Sequence, residues 1–176
     1  MSFNLPQIIY TDLTVEAVKS QLANMHRLTF EVTDACNLKC KYCAYDEFYE
    51  NYDRREDKML SAKKAIRLLE YFSEFWNSER NESDKQDICI NFFGGEPLLN
   101  MPFIETIVDY VQNKLHAPNR SFKFSMLTNG VLLDKYMDYL AIHHFNLLIS
   151  LDGNVDNNAY RVTHNGNESF IGIDNQ

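Results

Sequence analysis

The chain has 176 residues, of which 45% are hydrophobic and 13% aromatic, which suits one packed globular domain and excludes a disordered chain. Lysine and arginine total 17 against 25 acidic residues, and the formal net charge of −8 argues against a nucleic-acid partner. No run approaches ~18 consecutive apolar residues, and no signal-peptide pattern is seen, so we expect a cytoplasmic protein without a membrane span.

The first part of the chain predicts a helix, a strand and a second helix. Thr14 is positioned to cap a helix over residues 14–25, where apolar residues recur at helical spacing. Alternating apolar residues over 27–33 predict a strand, which runs directly into a cysteine-rich loop at 36–43. After a charged and aromatic loop, Ser61 begins a helix with an apolar stripe. The members of that stripe are Ala65, Leu69, Phe72 and Trp76.

The second part repeats a strand-and-helix pattern. Short β-rich runs predict three further strands, at 88–93, 122–127 and 146–151. Pro102 begins a helix between the first two of these strands, and residues 133–143 form a helix between the last two. Strands that alternate with helices, with little polar alternation in the later strands, indicate a parallel α/β sheet buried on both faces.

Unusual sequence follows each predicted strand. In parallel α/β folds, ligands gather at the carboxyl ends of the strands. The four segments at those ends are CNLKCKYC (36–43), GGEP (94–97), TNG (128–130) and SLDG (150–153). We therefore expect one site, built on a core at 26–176 that follows an N-terminal helical extension at 1–25.

The cysteine loop predicts an iron–sulfur cluster. Cys36, Cys40 and Cys43 supply three thiols, whereas Cys89 lies in a predicted strand and is interpreted as a small buried hydrophobe. A structural zinc site takes four ligands, and a disulfide would leave one thiol over and needs an oxidising compartment. A [4Fe–4S] cluster bound through three irons accounts for the count, because its fourth iron stays open for a non-protein ligand.

These residues resemble a known family. The spacing of Cys36, Cys40 and Cys43, with Tyr42 before the last cysteine, is similar to the signature loop of the radical S-adenosylmethionine (SAM) superfamily. In that family the loop follows the first strand of a partial (β/α)6 barrel. GGEP after the second strand resembles the family's glycine-rich motif.

A finer resemblance is to the branch of this superfamily that modifies peptides and proteins. That branch includes anaerobic sulfatase-maturating enzymes and SPASM-type peptide maturases, and its motifs are similar to TNG and SLDG here. Asn157-Asn158 replaces the histidine–aspartate pair of the branch. The residues that fit its pattern after the fourth strand are Arg161, Gly166, Ser169 and Phe170.

The resemblance implies an α/β fold and a radical reaction. The expected fold is a radical SAM barrel truncated after about the fourth of six strands, so we expect the N-terminal part of a longer enzyme. The expected chemistry is reductive cleavage of SAM to a 5′-deoxyadenosyl radical, with electrons from a reducing donor. A peptide or protein is the expected substrate. The alternatives are a radical SAM enzyme acting on a small molecule, and a truncated fragment without activity.

The resemblance also implies roles for single residues. Cys36, Cys40 and Cys43 would bind the cluster, and Tyr42 would lie against the adenine of SAM or, alternatively, pack onto the barrel. Within the segment Gly94, Gly95, Glu96 and Pro97, the glycines would let the backbone approach the methionine end of SAM. Glu96 would offer an anion to its ammonium group.

The remaining predicted contacts follow the third and fourth strands. Ser150 would contact SAM, and Arg161 would pair with its carboxylate unless Arg161 is an ordinary surface cation. Asn129 and Asp152 would contact the ribose or only stabilise turns. The five histidines show no metal-ligand spacing and are interpreted as solvated or structural, and the loop at 47–57 either lines a peptide site or is solvated.

Overall fold

The computed structural model describes residues 13–43, 56–83, 86–154 and 156–166. Most of the loop at 47–57, and both Ser169 and Phe170, lie outside these ranges. The helices are α1 (Val15–Ala23), α2 (Ala62–Trp76), α3 (Met101–Asn113) and α4 (Leu133–Ile142). The strands are β1 (Arg27–Thr33), β2 (Asp87–Gly94), β3 (Ser121–Thr128) and β4 (Asn146–Ile149). Two short 3-10 helices are Pro97–Asn100 and Asn157–Tyr160.

The four strands form one parallel sheet in the order β1-β2-β3-β4. A helix connects each strand to the next, as the alternating sequence pattern predicts. The parallel α/β fold is therefore confirmed. Because all strands run the same way, the segments after β1, β2, β3 and β4 all emerge at one edge of the sheet.

The prediction that the sheet is buried on both faces is wrong. Along β2 and β3 the buried residues alternate with half-exposed ones. The buried positions, such as Ile90 and Phe124, pack with residues of α2, α3 and α4 in one apolar core. The opposite face has no such cover in the described residues, and its side chains are half-exposed or exposed.

Cys89 lies on that second face and is half-buried, so its expected burial as a hydrophobe is also corrected. Its sulfur is 3.1 Å from the hydroxyl oxygen of Ser125. The Ser125 hydroxyl in turn donates to the side-chain oxygen of Asn91, 2.8 Å away. A short polar row therefore crosses β2 and β3 on the face that the helices leave uncovered.

The helices follow their predicted stripes to different degrees. Ala65, Leu69 and Trp76 of α2 are buried, as predicted, and Phe72 is partly buried against the same core. In α1, Thr14 accepts a hydrogen bond from the backbone of Ala17 and caps the helix, as predicted. The apolar positions of α1 are largely exposed, however, and Ala23 is its one buried residue. No helix among the described residues is both long and apolar enough to cross a membrane.

Candidate cofactor site

A cavity of about 250 Å³ opens at the carboxyl ends of the strands. Its walls contain nine of the twelve site residues predicted from the sequence. These nine are Cys36, Cys40, Tyr42, Cys43, Gly94, Gly95, Asn129, Ser150 and Arg161. Glu96, Pro97 and Asp152 are not among the lining residues, although Glu96 follows the lining residue Gly95 and Asp152 is bonded to the lining residue Tyr42. The four strand-end segments thus meet at one place.

The cysteine loop brings its three thiols to this cavity. Leu38 is buried and anchors the loop, and its backbone N–H donates to the sulfur of Cys36 at 3.4 Å. The N–H of Cys43 donates to the carbonyl of Cys40 at 3.1 Å, which turns the last cysteine back towards the first two. Within the described ranges, no three or more His, Cys, Asp or Glu side chains are grouped closely enough to hold a single metal ion. A cluster does not need the three sulfurs around one metal atom, because each sulfur binds a different iron.

The electrostatics of the loop are those of crowded thiols. Burial raises the pKa of the Cys40 thiol, and the negative charges of Cys36, Cys43 and Asp152 act in the same direction. The positive charge of Arg161 opposes this rise. Arg161 therefore favours the thiolate form of Cys40, the form that binds metal, although burial has the larger effect on this pKa.

The two glycines at the end of β2 allow a close backbone contact that the sequence did not reveal. A Cβ on Gly94 would lie 2.1 Å from the carbonyl oxygen of Thr33, and one on Gly95 would lie 2.2 Å from that of Ala35. Gly94 also has a φ of 140°, which side chains other than glycine rarely adopt. The glycines therefore let the ends of β1 and β2 lie backbone against backbone, while both also line the cavity.

Glu96 is fully buried, and its carboxylate is occupied within the chain. It accepts hydrogen bonds from the backbone of Leu98 at 3.1 Å and the hydroxyl of Thr128 at 2.8 Å. It also accepts one from the backbone of Asn129 at 2.8 Å. Burial raises the pKa of Glu96, and these donors oppose the rise. The carboxylate thus joins the end of β2 to the end of β3, and Pro97 begins the 3-10 helix beside it.

Asn129 both stabilises a turn and contacts the cysteine loop. Its side-chain oxygen accepts from the backbone of Val131 at 3.0 Å. Its side-chain nitrogen donates to the side-chain oxygen of Asn37 at 2.8 Å and lies 3.8 Å from the sulfur of Cys36. Ser150 lies next to it, because its N–H donates to the carbonyl of Thr128 at 2.9 Å.

Tyr42, Asp152 and Arg161 form one connected group at the mouth of the cavity. The Tyr42 hydroxyl donates to the carboxylate of Asp152 and accepts from Nη1 of Arg161 at 2.9 Å. Burial and the bond to Asp152 raise the pKa of Tyr42 to about 12, so this phenol is protonated at neutral pH. Arg161 is 7% exposed, which excludes the reading of an ordinary surface cation.

Sequence reasoning missed the partner of the cysteine loop. Residues 160–164, which we call the strap, run antiparallel to the loop, with Leu38 bridged to Thr163. His164 belongs to the strap, and its Nε2 lies 2.9 Å from the carbonyl oxygen of Cys36. The only sequence signal for extended backbone here is a pair of β-branched residues, at 162 and 163. Two residues are too few to predict a strand.

Comparison with known proteins assigns the family. The sequence pattern of the radical SAM superfamily matches residues 30–170. The chain belongs to the radical SAM superfamily. Members of this family use a [4Fe–4S] cluster and SAM, and its curated relatives named here are enzymes.

Three curated relatives illustrate the range of the family. The chain is 28% identical over 146 residues to the radical SAM cyclopropyl synthase TigE of Paramaledivibacter caminithermalis, covering 79% of this chain and 29% of TigE. It is 36% identical to the S-adenosylmethionine-dependent nucleotide dehydratase of Pseudoalteromonas ulvae, and the match covers 71% of this chain and 39% of the dehydratase. It is 31% identical to the cysteine-type anaerobic sulfatase-maturating enzyme of Clostridium novyi, and the match covers 77% of this chain and 34% of that enzyme. The chain thus spans less than half the length of each.

A solved structure agrees on the fold. The structure of native anSMEcpe with bound AdoMet superposes with a TM-score of 0.68 at 24% sequence identity. The superposition covers 85% of this chain and 39% of that one. The partial radical SAM barrel expected from the sequence is therefore confirmed for the part of the fold that this chain contains.

Proposed function

We propose that this chain is the cofactor-binding part of a radical SAM enzyme that modifies a peptide or protein. The observation that carries the proposal is the convergence of Cys36, Cys40 and Cys43 on one cavity with the glycine pair at the end of β2. When bound there, a reduced [4Fe–4S] cluster would supply the electron that cleaves SAM to methionine and a 5′-deoxyadenosyl radical. The electron would come from a separate reducing partner.

The residues present fit such a cluster. The three thiols belong to one loop, and Arg161 places a positive charge beside them. Three protein ligands leave a fourth iron for the amino and carboxylate groups of SAM. Reduced thiols in this number also suit the cytoplasm, which is the compartment we propose.

Arg161 is the proposed partner of the SAM carboxylate. It is buried at the cavity, and its guanidinium already lies 3.8 Å from the carboxylate of Asp152. A planar guanidinium binds carboxylates through two parallel N–H donors, which gives orientation as well as charge. Asp152 and Tyr42 would hold that guanidinium ready, and the ring of Tyr42 would lie beside the adenine.

Four further residues line the cavity and would complete the SAM pocket. They are Gly94, Gly95, Asn129 and Ser150. Glu96 receives a different role from the one that its motif implies. Because its carboxylate binds Thr128 and Asn129, we propose that it holds the end of β3 in place, and with it the side chain of Asn129 beside Cys36. Pro97 would support this by starting the 3-10 helix whose first turn Glu96 caps.

A peptide or protein substrate is supported by two relatives. One curated relative is named an anaerobic sulfatase-maturating enzyme, and another solved structure of anSMEcpe contains a bound peptide. A small-molecule substrate is the second candidate, because other relatives are named a nucleotide dehydratase and a GTP 3′,8-cyclase. The two candidates differ in the class of substrate that the enzyme would bind.

The test is anaerobic reconstitution of the protein with iron and sulfide, followed by reduction in the presence of SAM. We expect about four irons per chain, a broad visible absorbance, and release of methionine and 5′-deoxyadenosine. The matched control is a variant with Cys36, Cys40 and Cys43 all changed to serine. A folded protein that binds no iron, or binds iron and leaves SAM intact under reduction, would refute the proposal.

A further inference from the structure

We propose that the strap, residues 160–164, holds the cysteine loop in its metal-binding shape, and that His164 is the positioning residue for Cys36. This proposal rests on the proposed function for its purpose, since the loop is the one that would bind the cluster. The strap itself is defined by contacts within the chain. It therefore makes predictions that do not require the cluster to be present.

The main chain of the strap supplies acceptors to the loop on both sides of Cys40. The N–H of Lys39 donates to the carbonyl of Val162 at 2.7 Å, and the N–H of Lys41 donates to the carbonyl of Tyr160 at 2.9 Å. The residues before and after Cys40 are thus both bonded to the strap. Because a backbone donor that is taken from water needs an acceptor, the strap favours the folded loop over an open one.

Side chains of the strap bind both ends of the loop. At the first cysteine, Nε2 of His164 lies 2.9 Å from the carbonyl oxygen of Cys36. A carbonyl oxygen only accepts, so the histidine is the donor and carries a proton on Nε2. Near the last cysteine, Arg161 donates to the Tyr42 hydroxyl at 2.9 Å. The strap therefore spans the loop from Cys36 to the residue before Cys43.

Some hydrogen bonds also form within the loop itself. These include a bond from the Leu38 N–H to the sulfur of Cys36, one from the Cys36 thiol to the side-chain oxygen of Asn37 at 4.0 Å, and one from the Cys43 N–H to the carbonyl of Cys40. Ordering such an irregular segment costs conformational entropy. Contacts from a second segment offset that cost before any metal binds, and so keep the three thiols close together.

His164 is the sharpest point at which to test the strap, because its imidazole touches the loop at the carbonyl of a predicted ligand. His164→Ala removes the donor, whereas His164→Gln keeps an N–H at a similar reach. His116→Ala is the matched control. That histidine is also exposed, and it lies between α3 and β3, at the opposite edge of the sheet.

The first measurement is alkylation of the iron-free protein by iodoacetamide, with each cysteine followed by mass spectrometry. Loss of one hydrogen bond is expected to open the loop about fivefold more often. In His164→Ala we expect Cys36 and Cys40 to react about fivefold faster, while Cys89, which lies on another part of the sheet, keeps its rate. His164→Gln and His116→Ala should react like the unaltered protein.

The second measurement is iron uptake at limiting iron, which should fall in His164→Ala and return in His164→Gln. Unchanged alkylation of Cys36 in His164→Ala would overturn the proposal. So would an equal increase at Cys89, because the histidine would then support the whole fold and not the loop. If the unaltered protein takes up no iron, the proposed function fails, and the alkylation rates still decide whether the strap holds the loop.

Discussion

Arg161 donates a hydrogen bond through Nη1 to the hydroxyl of Tyr42, 2.9 Å away, although 119 residues separate the two in the chain. Tyr42 belongs to the cysteine loop, and Arg161 follows β4. The same hydroxyl donates to Asp152, so it connects a cation and an anion. A ligand carboxylate that binds Arg161 would therefore meet a guanidinium whose position is already set by the cysteine loop.

Replacing Arg161 with lysine should weaken SAM binding and leave the cluster in place. A lysine ammonium is a point charge and cannot donate two parallel bonds to a carboxylate. The expected loss is about 1–3 kcal/mol, typical of a hydrogen bond to a charged group. The measurement is the SAM dissociation constant of reconstituted protein, with iron content determined on the same sample.

Arg67→Lys on the exposed side of α2 is the matched control and should leave the SAM dissociation constant and the iron content unchanged. Tyr42→Phe tests the connection between the two residues, because it removes the hydroxyl and keeps the ring. If Tyr42 positions Arg161, the double variant should lose less than the sum of the single variants. Unchanged SAM affinity in Arg161→Lys would remove Arg161 from the proposed site.

Cys40→Ser should abolish cluster binding, whereas Cys89→Ser should keep about four irons per chain. Cys40 lines the cavity, and Cys89 is paired with Arg27 at the amino end of β1. Six strand residues, or roughly 20 Å, separate that point from the cysteine loop. A serine at 89 also keeps a hydroxyl for the bond to Ser125. Equal iron loss in the two variants would contradict a three-cysteine site.

Gly95→Ala should destabilise the fold by about 3 kcal/mol or more, because its Cβ would lie 2.2 Å from a backbone oxygen that cannot move alone. Gly166→Ala is the control. Nothing lies within 4 Å of a Cβ there, although its φ of 78° adds strain of about 1 kcal/mol. Urea unfolding of the iron-free proteins measures both. A Gly95→Ala protein as stable as Gly166→Ala would show that the two strand ends have room to separate.

Glu96 should make stability fall as the pH rises. Burial raises its pKa in the folded chain above the ordinary value of 4.5. Between pH 4.5 and the folded pKa, the folded state therefore holds more protons than the unfolded state. Its contribution is complete below 4.5 and is lost as the pH rises through the folded pKa. Glu96→Gln cannot titrate at this position, so its free energy of unfolding should not show this fall with pH.

The measurement is the free energy of unfolding of the iron-free protein and of Glu96→Gln between about pH 4 and 8, taken as a difference at each pH. We expect the advantage of the glutamate to shrink as the pH rises. A constant or growing advantage would mean that the hydrogen bonds from Leu98, Thr128 and Asn129 outweigh the cost of burying the charge.

The sequence alone determined the parallel α/β order and the place of the site. Helical and strand periodicities are local, so they predicted α2, α3 and α4 and all four strands to within a few residues. The cysteine spacing predicted the three thiols, because a short loop keeps its members together whatever the rest of the chain does. Parallel strands then brought GGEP, TNG and SLDG to the same edge.

Only the tertiary structure decided which face of the sheet the helices cover, and therefore that Cys89 is half-buried beside Ser125. It also decided that the Glu96 carboxylate is used by Thr128 and Asn129, and that His164 reaches Cys36 across 128 residues. These contacts join residues far apart in the chain. No local period encodes them, because they exist only once the sheet has brought the strand ends together.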